Sequence, residues 1–239
     1  MAYIQGFVLP VPADKKEAYR QAAADFAPIA KEFGATRQVE GWGDDVPDGK
    51  LTDFKGAVKT KPDEIVVFSW IEYPSKEVAD AAHQKIMTDP RMKDMSMPFD
   101  GQRMIVAGFQ PILDEGKGGK KGAKTGYIDG FVAAVPAGNK DAYLKMATKA
   151  AGMFKEVGAI RVVETWGENV PDGKVTDYKG AVKATADEKI VYSWVEWPSK
   201  AVRDEGWKKM MADERMKDQQ MPFDGKRLIY GGFAPILDA

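Results

Sequence analysis

The chain of 239 residues contains no cysteine and a single histidine, His83. The first absence excludes structural disulfides, thiolate metal sites, thiol catalysis and c-type haem attachment. The second excludes a multi-histidine metal centre within one chain, so no metal is expected. No apolar run approaches the length of a membrane span. Met1 to Pro12 also lacks the basic start and long apolar core of a signal peptide. The expectation is a cytoplasmic protein with no membrane partner. Neither sign of charge dominates: 35 Lys and Arg stand against 36 Asp and Glu, for a net charge of −1. A nucleic-acid partner is not expected, because such binding needs clustered Lys and Arg to neutralise phosphates.

What the chain does contain is itself, twice. Trp42-Gly-Asp-Asp-Val-Pro-Asp-Gly-Lys50 returns as Trp166-Gly-Glu-Asn-Val-Pro-Asp-Gly-Lys174. A constant shift of about 124 residues holds from Tyr3-Ile4 (Tyr127-Ile128) to Pro111-Ile112-Leu113-Asp114 (Pro235-Ile236-Leu237-Asp238). It gives roughly 65 identities in about 112 aligned positions, a period far longer than a solenoid repeat. Residues 1–114 and 127–239 therefore read as one domain written twice, each copy of ordinary domain size. Residues 115–126 between them are rich in Gly and Lys and read as a flexible linker. That segment lacks the G-x-x-x-x-G-K-[ST] spacing of a phosphate loop and occurs once, so no cofactor is expected there.

Within a unit, Tyr3 to Leu9 is β-branched and aromatic and reads as a strand ending at Pro10 and Pro12. Tyr19, Ala22, Phe26, Ile29 and Phe33 recur at helical spacing, ended by Gly34, with Pro28 expected to kink the helix. In the strand Arg37 to Trp42, alternation sends Arg37, Val39 and Gly41 to one face and Gln38, Glu40 and Trp42 to the other. Leu51 to Val58 reads as an extended arm along the sheet. Ile65 to Glu72 is the most strand-like run, with Val66, Phe68, Trp70 and Glu72 on one face. Ser75 is placed to cap a second helix to about Met87, Asp89 to Asp94 reads as a short extra helix, and Arg103 to Phe109 is the last strand. The order β-α-β-β-α-β is that of a ferredoxin-like α+β unit, with both helices on one sheet face. The other face is left apolar and bare. Two such units can cover each other sheet to sheet within one chain, as a pseudo-dimer. Further homo-oligomerisation stays open.

The motifs Tyr-Ile-x-Gly-Phe-Val, Trp42 to Lys50, Ser69-Trp-Ile-Glu-Tyr-Pro-Ser-Lys76 and Met97-Pro-Phe-Asp-Gly101, with their second copies, resemble the YbaA-like family of bacterial proteins. The resemblance covers nearly the whole chain outside the linker. It implies the dimeric α+β-barrel superfamily, in which two ferredoxin-like sheets close on each other. Family members are usually single units, so here the family's dimer becomes an internal pair. The family carries no established activity, so no catalytic residue transfers. Two functional classes follow as expectations. One is a small-molecule binding or stress-related module with a pocket at the sheet faces. The other, by superfamily analogy, is a cofactor-free enzyme of monooxygenase or isomerase type. A structural assembly module is the third reading.

The ligand-pocket candidates are Glu40 with Trp42 and Trp70 with Glu72, repeated as Glu164 with Trp166 and Trp194 with Glu196. Facing the space between the sheets, they would line a cavity with aromatic walls and carboxylates of raised pKa. The plainer alternative makes the Trp residues packing and the Glu residues wet strand ends. Arg37 and Arg103, repeated as Arg161 and Arg227, could hold an anion bidentately, or pair with Glu40 or Asp100 at the surface. Asp44, Asp45, Asp48 and Asp53 could take a hard cation, but the spacing does not fit an EF-hand loop and turn chemistry is the favoured account. His83 is matched by Trp207, which points to a surface or packing role.

Overall fold

A computed structural model describes residues 2–93, 95–116, 124–216 and 220–239. Of the expected linker 115–126, residues 117–123 lie outside the described residues and Glu115 and Gly116 belong to the last strand of the first half; Asp94 of the expected extra helix also lies outside them. The first half contains β1 (Tyr3–Pro12), α1 (Lys16–Glu32), β2 (Arg37–Asp45), the short α2 (Phe54–Ala57), β3 (Glu64–Tyr73), α3 (Lys76–Thr88) and β4 (Ile105–Gly116). The second repeats them as β5 (Tyr127–Pro136), α4 (Lys140–Glu156), β6 (Arg161–Asn169), α5 (Tyr178–Ala181), β7 (Glu188–Trp197), α6 (Lys200–Ala212) and β8 (Ile229–Asp238). Ser75 caps α3 by accepting from the Val78 amide, and Ser199 does the same for α6.

The eight strands form one closed antiparallel barrel in the order β1-β3-β2-β8-β5-β7-β6-β4. Each half supplies four strands in ferredoxin-like order. The halves join edge to edge, through β2 with β8 and through β4 with β6. Closure removes every exposed edge. It also explains why β4 runs past Phe109 to Gly116: its far end pairs with β6 of the other half. Similarly, β1 runs through Pro10 and Pro12 because its partner β4 is paired only as far as Val8, so no donor is needed on that side. The α1 helix packs on the end of β8, and α4 on the end of β4. The stretch expected as an extended arm instead makes α2. Asp53 caps it, and Phe54 drops into the barrel core against Phe68 and Phe233.

The alternation within each strand is as expected, and the packing decides which face turns inward. Val39, Val66, Phe68 and Trp70 join their counterparts in a single interior core. On the pseudo-twofold axis Trp70 stacks on Trp194 at 4.4 Å, and Phe68 on Tyr192 at 4.4 Å. Each indole nitrogen donates to a carboxylate two residues on: Trp70 to Glu72 and Trp194 to Glu196, both at 3.1 Å. These carboxylates are bound across the interface. Arg37 donates to Glu196 at 2.8 and 2.9 Å and to Asp238 at 2.8 and 2.9 Å. Arg161 reciprocates on Glu72 at 2.6 and 3.1 Å and on Asp114 at 2.8 and 2.9 Å. Burial alone would raise the Glu196 carboxyl, but the Arg37 bonds and the two arginine charges outweigh it and hold it below its ordinary value. Arg37 and Arg161 therefore pair neither with Glu40 nor with Asp100, and they do so in the interior rather than at the surface.

Removing Arg37 strips the wholly buried Glu196 of its principal counter-charge and leaves it only the Arg161 charge, at 3.4 Å. Arg37→Met should lower the unfolding free energy by about 3 kcal/mol or more, measured by urea denaturation. A change under about 0.5 kcal/mol, the level of an exposed pair, would show that the pair is solvated.

Candidate functional site

The alternation that sends Val39 inward sends Gln38, Glu40 and Trp42 outward, beneath α1. On β3, Ser69 and Ile71 face the same way. Glu40 and Trp42 thus lie on the opposite sheet face from Trp70 and Glu72. The single inter-sheet cavity expected for these four residues, and for Glu164, Trp166, Trp194 and Glu196, gives way to two separate environments. Between the sheets the side chains pack solidly: Trp70, Trp194 and Glu196 are wholly buried. A cavity of about 300 Å3 lies instead between the outer face of the first sheet and helices α1 and α3.

Its floor carries Tyr19, Gln38, Glu40 and Ser69, and its walls are Phe7, Phe26, Phe99 and methionines including Met95 and Met104. His83 stands among its lining residues on α3, exposed, as are Met87 and Met97 at 71% and 53%. Ala22 and Phe26 are only half-buried for the same reason, although they belong to the apolar face of α1.

Glu40 is the chemical centre of this floor. It is 6% exposed, not a wet strand end. The Tyr19 hydroxyl donates to it at 2.6 Å and the Gln38 amide at 2.9 Å. Burial raises its carboxyl above the ordinary value, and the bonds from Tyr19, Gln38 and Ser69 only temper this. Burial and the neighbouring Glu40 charge push the Tyr19 hydroxyl well up, so the tyrosine keeps its proton. Trp42 packs beside Tyr19, Leu9 and Val67, with the Lys16 ammonium 5.3 Å from its ring centre, and does not line the cavity.

The second half repeats the Tyr143–Glu164 bond at 2.6 Å, and burial pushes Glu164 up to about 7. Trp166 packs there against Tyr143 and Ala133. The surroundings differ. Asp129 stands for Gln5, Trp207 for His83, Trp197 for Tyr73 and Arg203 for Ala79. The buried Asp129 accepts from Trp197 at 2.9 Å, Trp207 at 2.8 Å and Arg203 at 2.8 Å. Trp197 fits because Gly206 replaces Ala82: a Cβ there would stand 2.9 Å from the indole. A cavity of about 360 Å3 lined by Asp129, Trp207 and Tyr230 lies on this half, and Glu164 is not among its lining residues.

The remaining candidates are engaged elsewhere. Arg103 grips Glu64 at 2.6 Å through both terminal nitrogens and Asp100 at 2.8 Å, and donates to the carbonyl of Lys59, a residue with φ of 49°. Arg227 repeats this with Glu188, Asp224 and Lys183, and its bonds pull Glu188 down to about 2. The Asp100 partner was legible in the sequence; Glu64 was not. In the acidic turn, Asp44 binds Tyr127 and Lys200, Asp45 binds Arg203, Asp48 binds Lys55, and Asp53 caps α2. Among the described residues no group of three or more His, Asp or Glu is placed to hold a metal ion. Gln38 and the methionine wall were missed. The available signal was the bunching of Met87, Met92, Met95, Met97 and Met104 in one short stretch.

Two ferredoxin-like halves closed into one antiparallel barrel, with helices over the outer faces, define a covalently fused α+β barrel. Solved structures share this fold. A candidate monooxygenase from Lactobacillus acidophilus aligns over 100% of this chain and 95% of its own, with a TM-score of 0.56 and 10% identity. An anthrone oxidase-like protein aligns over 99% and 92%, with a TM-score of 0.53 and 11% identity. At such identities the likeness shows the fold alone. The family model described as "Protein of unknown function (DUF1428)" matches residues 2–101 and 126–225, and the chain belongs to that family. The Escherichia coli K12 protein YbaA is 67% identical over 117 residues, which is 48% of this chain and 100% of that protein; the Shigella flexneri YbaA matches equally. Among the described residues no helix is long and apolar enough to cross a membrane.

Glu164 titrates near 7 in the folded chain against an ordinary value of 4.5. The folded state therefore holds this proton more tightly than the unfolded one. The associated stability is complete below about pH 4.5 and is lost as the pH rises through 7. Glu40 and Asp129 are also raised and act in the same direction. Glu164→Gln keeps an acceptor for Tyr143 without the charge. Relative to the parent chain, its stability should rise by on the order of 2–3 kcal/mol between pH 5 and pH 8, read from urea midpoints. A variant tracking the parent at both pH values would show a solvated carboxyl.

Proposed function

We propose that the first half binds an apolar small molecule in the cavity between its outer sheet face and helices α1 and α3, with Glu40 as the polar anchor. The observation that carries this reading is the juxtaposition of a methionine- and phenylalanine-walled space of about 300 Å3 with one buried carboxylate at its floor. Ligand sites are commonly concave, mostly apolar and furnished with few polar groups. Thioether side chains adapt their shape to an occupant and favour aromatic contacts. Exposed Met87 and Met97 give an apolar ligand a path of entry. In the second half Trp207 replaces His83 and the cavity lined by Asp129 and Tyr230 does not reach Glu164, so the reading is one ligand per chain.

A second reading is supported by the raised carboxyl. A buried glutamate hydrogen-bonded to a tyrosine beside an apolar cavity can exchange a proton with a bound molecule, as acid–base chemistry requires. The monooxygenase-like names of the structural neighbours lend this only an analogy of fold.

Protein purified natively and then denatured should release a molecule detectable by mass spectrometry, and titration with 1-methylnaphthalene should saturate at one equivalent per chain. The second copy already carries Met146 at the position of Ala22, so a larger side chain is tolerated there. Ala22→Phe should therefore fill the cavity and weaken the probe by about tenfold or more, with little change in melting temperature. No released molecule together with no saturable binding would overturn the pocket.

A further inference from the structure

Gln38 holds a hydrogen-bond acceptor with no partner among the described residues. The residue is 4% exposed and lines the cavity floor beside Glu40. Its amide nitrogen donates to Glu40 Oε1 at 2.9 Å and to the Ala23 carbonyl at 3.4 Å. Both neighbours are acceptors, so the nitrogen must face them, and this sets the orientation of the amide. The oxygen, Oε1, is then buried and unpaired. Buried acceptors are rarely left so, because the loss of water is uncompensated.

The fold does not demand this group. In the second copy Val162 occupies the same place on the equivalent strand, beside the equivalent Glu164 and Tyr143. The strand forms with either residue. The amide is thus an addition peculiar to the half whose cavity reaches the glutamate.

We propose that the cavity of the first half selects an apolar ligand bearing one hydroxyl, which donates its hydrogen bond to Gln38 Oε1. This rests on the pocket reading above and adds the chemistry of the ligand to it. The terminal torsion of a glutamine is soft, so a modest turn brings Oε1 onto the cavity surface. The Glu40 oxygens already accept from Tyr19 and Gln38, which leaves Gln38 Oε1 as the unpaired acceptor of this floor. Selection works by the bond the hydroxyl adds. A hydrocarbon of the same shape would fill the walls equally well but leave the Gln38 acceptor as unpaired as it is without ligand.

The test uses 1-naphthol and 1-methylnaphthalene, nearly equal in shape and differing in the donor, titrated calorimetrically into the full chain. The naphthol should bind about tenfold tighter or better. Gln38→Val should bring the two affinities within about twofold, while 1-methylnaphthalene binds as before. Gln38→Met, closer in size, serves if valine loosens the strand. Equal affinities in the parent chain would overturn the inference and leave the pocket standing. A preference that survives loss of the amide would remove Gln38 from it. Failure of both compounds to bind would overturn the inference together with the pocket.

Discussion

The barrel depends on two arginines that each reach into the other half. Arg37 grips Glu196 and Asp238, and Arg161 grips Glu72 and Asp114, around the stacked pair Trp70 and Trp194. Ion pairs this deep add little net stability, since desolvation consumes most of their attraction. Their effect is on geometry. An arginine fork matched to two carboxylates tolerates only one register of the halves, and a slip would strand charges in the interior. Each Glu also accepts from an indole nitrogen, which sets the tryptophan stack on the axis. The interface is thus polar at one end and aromatic through the middle, and it leaves the outer sheet faces for other work.

Those outer faces have diverged. The first half carries Gln5, Tyr73, Ala79 and His83, and keeps an apolar cavity over Glu40. The second carries Asp129, Trp197, Arg203 and Trp207, which bond to one another. The change is concerted: Trp197 needs Gly206, and both indoles need the Asp129 carboxylate. In a symmetric dimer of separate chains every substitution would appear on both sides. Covalent fusion lets the halves diverge: the cavity of the first reaches Glu40, and that of the second does not reach Glu164.

The glutamates show how alternation read strand by strand, without the pairing register, can merge two places. Glu40 and Glu72 both neighbour a tryptophan at two residues' distance, and by motif they look alike. Their strands pair with a register that puts Glu40 opposite Ser69 and Arg37 opposite Glu72. Glu40 consequently meets helix α1, whereas Glu72 meets the other half. One becomes a buried carboxyl with a tyrosine donor, the other the anchor of a cross-interface arginine.

By itself the sequence determined the features that local periodicity and repetition can encode. The duplication, the βαββαβ order, the alternation within each strand and the Ser75 cap are all written in spacings of a few residues or in one constant shift. Only the tertiary structure decided which edges join, because β2 meets β8 across about 200 residues of chain and nothing local distinguishes that partner from another. It also decided the fate of Arg37, whose partners lie 159 and 201 residues away. Whether a sheet face is filled or hollow was likewise a matter of packing. Helices α1 and α3 stand off the first sheet, and no periodicity records the gap between them.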